Sequence, residues 1–204
     1  MDLVSAPHPS FHLKEWYDIY MSNSYELDFY GIKRTLPITA LSSRIKIANF
    51  HLLGDVELTE KAGELLEKKL REQNIIPDYF VGPEVKVIPF IYHMAKRFGH
   101  NRYVIVRKSI RGYMSDPTIE HPWHSAPPHV KKLVMNGKDK ELLHGKKVVL
   151  LDDVVSTGAT MIMLEHFIER IGAQALAKAA LFKQGNKYNG ELIYLSELPI
   201  MQSS

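Results

Sequence analysis

The chain has 204 residues, 45% hydrophobic and 24% charged, with no cysteine and a formal net charge of +3. These values suit one soluble domain, or a domain with a small lobe, and exclude disulfide staples, thiolate zinc centres and cysteine nucleophiles. The mild basicity is spread along the sequence, so a cleft for an anionic metabolite accounts for it as well as a nucleic-acid surface would. No apolar run approaches the ~18 residues of a membrane span. The opening MDLVSAPHPS lacks the basic-then-apolar order of a signal peptide, so a cytoplasmic location is expected.

Residues 1–55 are irregular in pattern and carry the aromatics Phe11, Trp16, Tyr17, Tyr20, Tyr25, Phe29 and Tyr30. Leu58, Ala62, Leu65, Leu66 and Leu70 then follow the spacing of an amphipathic helix, which Asn74 and Pro77 end. Tyr79–Val81 reads as a short buried strand. A turn follows, and then a helix from Val87 to Phe98, with Pro89 tolerated in its first turn and Gly99 as its stop. Tyr103–Val106, Lys147–Leu151 and Ala175–Phe182 read as further buried strands, and Met161 to Ile171 as a helix ended by Gly172. Strands alternating with helices imply right-handed crossovers and a mainly parallel sheet.

Between Lys108 and Lys146 lies a long segment without strong periodicity, rich in proline and glycine. Loops beyond ~12–15 residues are uncommon in compact domains unless they act as lids or binding loops. Asn136-Gly137, after Val130–Met135, carries the signature of a type I′ hairpin turn, so part of the segment reads as a β-flap.

The chemical signal is Val148-Val-Leu-Leu-Asp-Asp-Val-Val-Ser-Thr-Gly-Ala-Thr160. Four apolar residues make a buried strand. Asp152 and Asp153 stand at its C-terminal end, where open α/β sheets place their ligands. Adjacent carboxylates there can accept hydrogen bonds from a vicinal diol such as ribose O2 and O3. Ser156, Thr157 and Thr160 supply hydroxyls, Gly158 lets the backbone approach, and the next helix opens with amides that favour an anion. A helix cap explains one acid or one hydroxyl, but not the whole set. Neither Gly-x-x-x-x-Gly-Lys-Ser/Thr nor Gly-x-Gly-x-x-Gly occurs.

Val148 to Thr160 resembles the signature of the type I phosphoribosyltransferases. Tyr79 to Lys86 and Val104 to Lys108 resemble the pyrophosphate loop and following strand of the adenine and xanthine group. Ile45–Ile47 and the helix from Glu57 to Asn74 are similar to the N-terminal part of the xanthine type, so the likeness runs over residues 40–200. The resemblance implies a single domain with a five-stranded, mainly parallel α/β sheet flanked by helices. It also implies a small hood (about 1–55 plus 183–204), a flexible flap (about 109–140) and a homodimer. The donor it implies is Mg²⁺-bound phosphoribosyl pyrophosphate, and the acceptor a purine base.

By position, Asp152 and Asp153 would hold the ribose hydroxyls and meet Mg²⁺ through water. Val155, Ser156, Thr157, Gly158, Ala159 and Thr160 would hold the 5-phosphate. Glu84, Val85 and Lys86, with Arg107 and Lys108, would hold pyrophosphate. Adenine-type members often have Glu-Ala-Arg-Gly at the first of these sites. Here Lys86 replaces the arginine, keeping the charge but losing the bidentate fork, and Val87 replaces the glycine. Phe50, His51 and Phe182 fall near base-contacting positions, and Leu192 to Met201 near the hood.

Displacing pyrophosphate from the ribose builds positive charge on the ring and negative charge on the leaving group. The reaction therefore wants acids near the sugar and cations near the pyrophosphate. Tyr113 to Met135 is the candidate lid, and Trp123 either covers a base on closure or anchors the loop. Glu84 or a flap residue is a candidate for taking the base's proton. His121, His124 and His129 offer either a zinc site or an ordinary surface loop. Adenine is slightly favoured as acceptor. The rival reading is a non-catalytic regulator that binds phosphoribosyl pyrophosphate. It would need a DNA-binding appendage, and the residues before position 40 lack a basic recognition stripe, so neither a nucleic-acid nor a membrane partner is expected.

Overall fold

The computed structural model describes residues 23–126 and 130–202. The chain divides into two units, residues 1–50 with 201–204 and residues 51–200. In the larger unit, five strands pair entirely in parallel in the order β10 (Ile193–Leu198), β9 (Gln174–Gln184), β8 (Lys147–Val155), β4 (Tyr79–Pro83) and β5 (Val104–Val106). This is the mainly parallel five-stranded sheet expected. Val148 to Leu151 of the central strand β8 are wholly buried, as a strand covered on both faces requires.

Among the described residues, four helices accompany the sheet: α1 (Val56–Glu72), α2 (Ile88–Arg97), α3 (Gly137–Leu143) and α4 (Ala159–Arg170). Asp55 caps α1, its carboxylate accepting from the Leu58 amide at 3.1 Å, and Leu58, Ala62, Leu66 and Leu70 form its buried stripe. Asn74 adopts a positive φ just beyond the helix, as its stop role suggests. Glu67 of α1 accepts from Arg71 and from Arg97 of α2, tying the two helices. Burial raises the Glu67 pKa, but the two guanidiniums outweigh it and hold the group below the usual carboxylate range.

Three expectations for the larger unit change. The fifth strand is β10, from the tail expected to serve the hood. The central strand runs through both acids to Val155 instead of ending at Leu151. Asn136-Gly137 is not a type I′ turn: Asn136 has φ −66° and ψ 144°, and the pair opens α3. A type I′ turn needs positive φ at both residues. Here the Asn136 side chain instead accepts from the Ser115 amide at 3.0 Å, and the Gly137 amide donates to the Ser115 carbonyl at 2.8 Å.

The segment after β5 leaves and returns at one point. Arg107 and Val134 exchange backbone hydrogen bonds of 2.8 and 2.7 Å. Between them, β6 (Thr118–Glu120) pairs antiparallel with β7 (Leu133–Met135). Val130, Leu133 and Met135 pack into the main core with Val106, Leu143 and Phe167.

In the smaller unit, β1 (Ser24–Phe29), β2 (Ile32–Ala40), β3 (Ile45–Ala48) and β11 (Ile200–Gln202) form one sheet in that order. A stretch expected to be irregular is therefore a β-meander. Phe29 pairs with Ile32 across a two-residue turn in which Tyr30 and Gly31 both have positive φ, 51° and 89°. Among the described residues, no helix is long and apolar enough to cross a membrane.

Leu150 sits at the centre of the core, where the surrounding layers cannot collapse around a void. Leu150→Ala should cost about 2–5 kcal/mol, read as a shift in the urea unfolding midpoint.

Candidate active site

Successive residues of a strand face opposite sides, so Asp152 and Asp153 cannot share one environment. Asp153 is 6% exposed and Asp152 is half-buried. The Asp153 amide donates to Asp152 Oδ1 at 2.9 Å, while Asp153 Oδ2 is buried without a hydrogen-bond partner. Burial drives the Asp152 pKa well up, and the neighbouring Asp153 charge adds to the effect. Burial also raises Asp153, against the opposing charge of Lys86. Two desolvated acids side by side resist carrying two negative charges.

The strand register explains why Lys86 is near. β4 and β8 are parallel neighbours, with Val81 opposite Leu150, so both strands deliver their following residues to the same end of the sheet. There Asp152 and residues 154–161 line a cavity of about 140 Å³. Gly158, at φ 74°, starts α4 in a left-handed conformation and offers no side chain to cap it. The Ala159 amide donates to Thr157 Oγ1 at 3.4 Å, and Ser156, Thr157 and Thr160 border an anion-sized space at the start of α4. The sequence-expected residues 155–160 all border this cavity, as does Asp152, whereas Asp153 does not line it.

The Glu84–Val85 peptide is cis, and Val85 and Lys86 are exposed. Glu84 itself is 12% exposed. Its carboxylate accepts from the Lys108 amide at 2.7 Å and from Arg107 Nη1 at 3.1 Å, with Arg111 Nη2 at 3.6 Å. Burial raises the Glu84 pKa, but the Lys108 amide and the two guanidiniums outweigh it and leave the group below its ordinary value. Glu84 thus anchors residues 107–111 beside the loop and is poorly suited to take a proton. Arg107 is held by this pair, and Lys108 is exposed.

The base-contact candidates differ in exposure. His51 is exposed, Phe50 is 4% exposed, and Phe182 on β9 is wholly buried in the larger unit. Trp123 lies beside Glu120, His121 and the α4 residues Ile162, Met163 and His166 around a cavity of about 400 Å³. His121 and His124 are exposed, and His129 lies outside the described residues. Among the described residues, no group of three His, Cys, Asp or Glu side chains is arranged to hold a metal ion. One residue was missed from sequence: Tyr188, whose ring occupies the space beside Gly158. Its distance along the chain from the loop left no local signal.

A family model described as the phosphoribosyl transferase domain matches residues 55–199. A hypoxanthine/guanine phosphoribosyltransferase from Methanococcus maripaludis (strain C5 / ATCC BAA-1333) is 38% identical over 88 residues, 43% of each chain. The transcriptional regulator GfcR of Methanocella arvoryzae is 31% identical over 118 residues, 58% of this chain and 52% of the regulator. The chain thus spans about two-fifths of the length of the first relative and half that of the second. The crystal structure of adenine phosphoribosyltransferase from Leishmania tarentolae superimposes with a TM-score of 0.60 at 16% identity, covering 91% of this chain and 88% of the other. The Saccharomyces cerevisiae adenine phosphoribosyltransferase superimposes with a TM-score of 0.59 at 16% identity, covering 90% and 99%. At these identities the likeness is one of fold.

The raised acid pKa values set a pH dependence. Between the ordinary aspartate pKa of 3.8 and the higher folded value, the native state holds a proton that the unfolded chain has lost. Stability therefore falls as pH rises through that window and levels off above it. Asp152→Asn should stabilise the ligand-free protein at pH 7 by roughly 1 kcal/mol, with the gain vanishing below about pH 4. Thermal melts of both proteins across this pH range read the difference; a lower melting temperature for the variant at pH 7 would contradict it.

Proposed function

The chain belongs to the phosphoribosyltransferase family, and on that premise we propose that it transfers the 5-phosphoribosyl group of phosphoribosyl pyrophosphate to a purine base. The products are a nucleoside 5′-monophosphate and pyrophosphate. The observation that carries the reading is the convergence, at one end of β8 and β4, of two desolvated acids, an uncapped helix start around an anion-sized cavity, and a cationic loop.

The cradle of residues 155–160 receives the 5-phosphate through amides and hydroxyls. Asp152 and Asp153 accept from the ribose hydroxyls and stabilise the positive charge that develops on the ring as the C1–oxygen bond to pyrophosphate breaks. Lys86, Arg107 and Lys108 receive the departing pyrophosphate, with Glu84 fixing Arg107 and the Lys108 backbone in position. The partnerless Asp153 Oδ2 fits a hydrated cation, so the acid pair would hold the donor's Mg²⁺ through water. The chemistry such an ion would supply there is positive charge for the leaving group. A ring nitrogen of the base forms the new bond to C1 as the C1–oxygen bond breaks, and its proton passes to the departing pyrophosphate. In this reading the lid expected from Tyr113 to Met135 closes over the bound donor and keeps water from the activated sugar.

The acceptor is a purine. The fold likeness is to adenine enzymes and the sequence likeness to hypoxanthine/guanine enzymes, so adenine leads a panel that includes the others. The protein works as a cytoplasmic homodimer. The similarity to a transcriptional regulator supports a second reading, in which the same site binds phosphoribosyl pyrophosphate without turnover.

Incubation with Mg²⁺, phosphoribosyl pyrophosphate and each base, followed by a pyrophosphate-release assay, separates the two. Release with one purine is expected; tight donor binding with no release favours the regulator. Asp152→Asn combined with Asp153→Asn should lower turnover by at least about 100-fold with the fold retained. Full activity in that double variant would remove the acids from the mechanism.

A further inference from the structure

Tyr188 lies in the loop between β9 and β10, far along the chain from the phosphate cradle, yet it is 4% exposed and lodged against it. A methyl group built on Gly158 would fall 1.9 Å from Tyr188 Cδ2 and 2.6 Å from Cε2. One built on Gly190 would fall 2.5 Å from the phenol oxygen. Two glycines thus make room for this ring, and the ring fills the space where a Gly158 side chain would stand. The phenol is not loose. It lies within electrostatic reach of Lys178 of β9, whose ammonium is paired with Glu165 of α4. Lys178 is 15% exposed and Glu165 32%, so this link runs partly out of water.

We propose that Tyr188 is a positioning residue for the 5-phosphate: it props Gly158 from behind, and the Lys178–Glu165 pair fastens the prop to the helix whose amides receive the anion. The inference rests on residues 155–160 being that cradle.

The physical need is specific. A glycine with a left-handed φ has more conformations open to it than any other residue, and the amides after it aim at the ligand only while that φ is held. Gly158 has no side chain of its own to fix it, so a neighbour must limit its motion. Donors that are already aimed stabilise a bound anion more than donors that must reorganise first. A residue that merely filled the core would affect stability alone. A prop acts on phosphate binding and leaves the base site untouched.

Tyr188→Ala, Tyr188→Phe and Lys178→Met separate these roles. Calorimetry with ribose 5-phosphate is the primary readout, beside steady-state kinetics with donor and base varied separately. Tyr188→Ala should weaken ribose 5-phosphate binding and raise KM for phosphoribosyl pyrophosphate by at least about tenfold, with kcat and KM for the base nearly unchanged. Tyr188→Phe keeps the ring and should restore most of the affinity; Lys178→Met should fall between. If the alanine variant does not fold, Tyr188→Leu, which keeps apolar bulk without the ring, is read in the same way. Unchanged ribose 5-phosphate affinity in the alanine or leucine variant overturns the proposal while leaving the cradle intact. So does an equal rise in KM for donor and base. If the wild-type protein itself fails to bind ribose 5-phosphate, the cradle reading falls and the role of Tyr188 with it.

Discussion

Like-charge repulsion between two neighbouring carboxyls in a desolvated setting is the constraint from which the rest of this site follows. Asp152 and Asp153 occupy the central strand, where burial disfavours the charged forms of both and the Asp153 charge further disfavours ionisation of Asp152. A fold optimised only for stability would not place them there. Relief can come from Lys86 on the neighbouring loop, from a cation, or from the hydroxyls of a bound sugar. The parallel register of β4 against β8 sets the first of these, because it brings the cationic loop to the same sheet end as the acids.

The anionic and cationic halves of the site are built differently. The anion cradle is mostly backbone: a helix start, a left-handed glycine and short hydroxyl side chains, with a distant tyrosine behind them. The cationic half is side chain, and its order comes from one buried carboxylate, Glu84, which gathers Arg107, Arg111 and the Lys108 amide. Removing Glu84 would leave its cations in place but without a common anchor. Charges that belong to one network do not act independently.

Much of this was legible in the sequence, for local reasons. The strand–acid–hydroxyl–glycine run from Val148 to Thr160 specifies its own geometry, since each residue interacts with near neighbours. Leu58, Ala62, Leu66 and Leu70 announced their helix by spacing alone. The missed features depend on distant partners. The strands β1 to β3 are mostly only partly buried, and their strongest clue was the Tyr30-Gly31 turn, where only Gly31 adopts positive φ without strain. Asn136-Gly137 has the composition of a hairpin turn, but Ser115, far away in sequence, claims the Asn136 side chain and lets a helix start instead. The strand Ile193–Leu198 could be recognised only by its pairing with β9. Tyr188 gave no local hint because its role lies in a contact with Gly158.

The reciprocal hydrogen bonds between Arg107 and Val134 close the intervening excursion into a ring whose ends are fixed by the body of the protein. Its two feet stay together whatever happens at its tip. Such a ring can gain or lose residues without disturbing the sheet, because each doubling of a flexible loop costs only about 0.6 kcal/mol. Changes of length there would still have to keep the ties that Arg111, Ser115, Glu120 and Val130 make to the body of the protein.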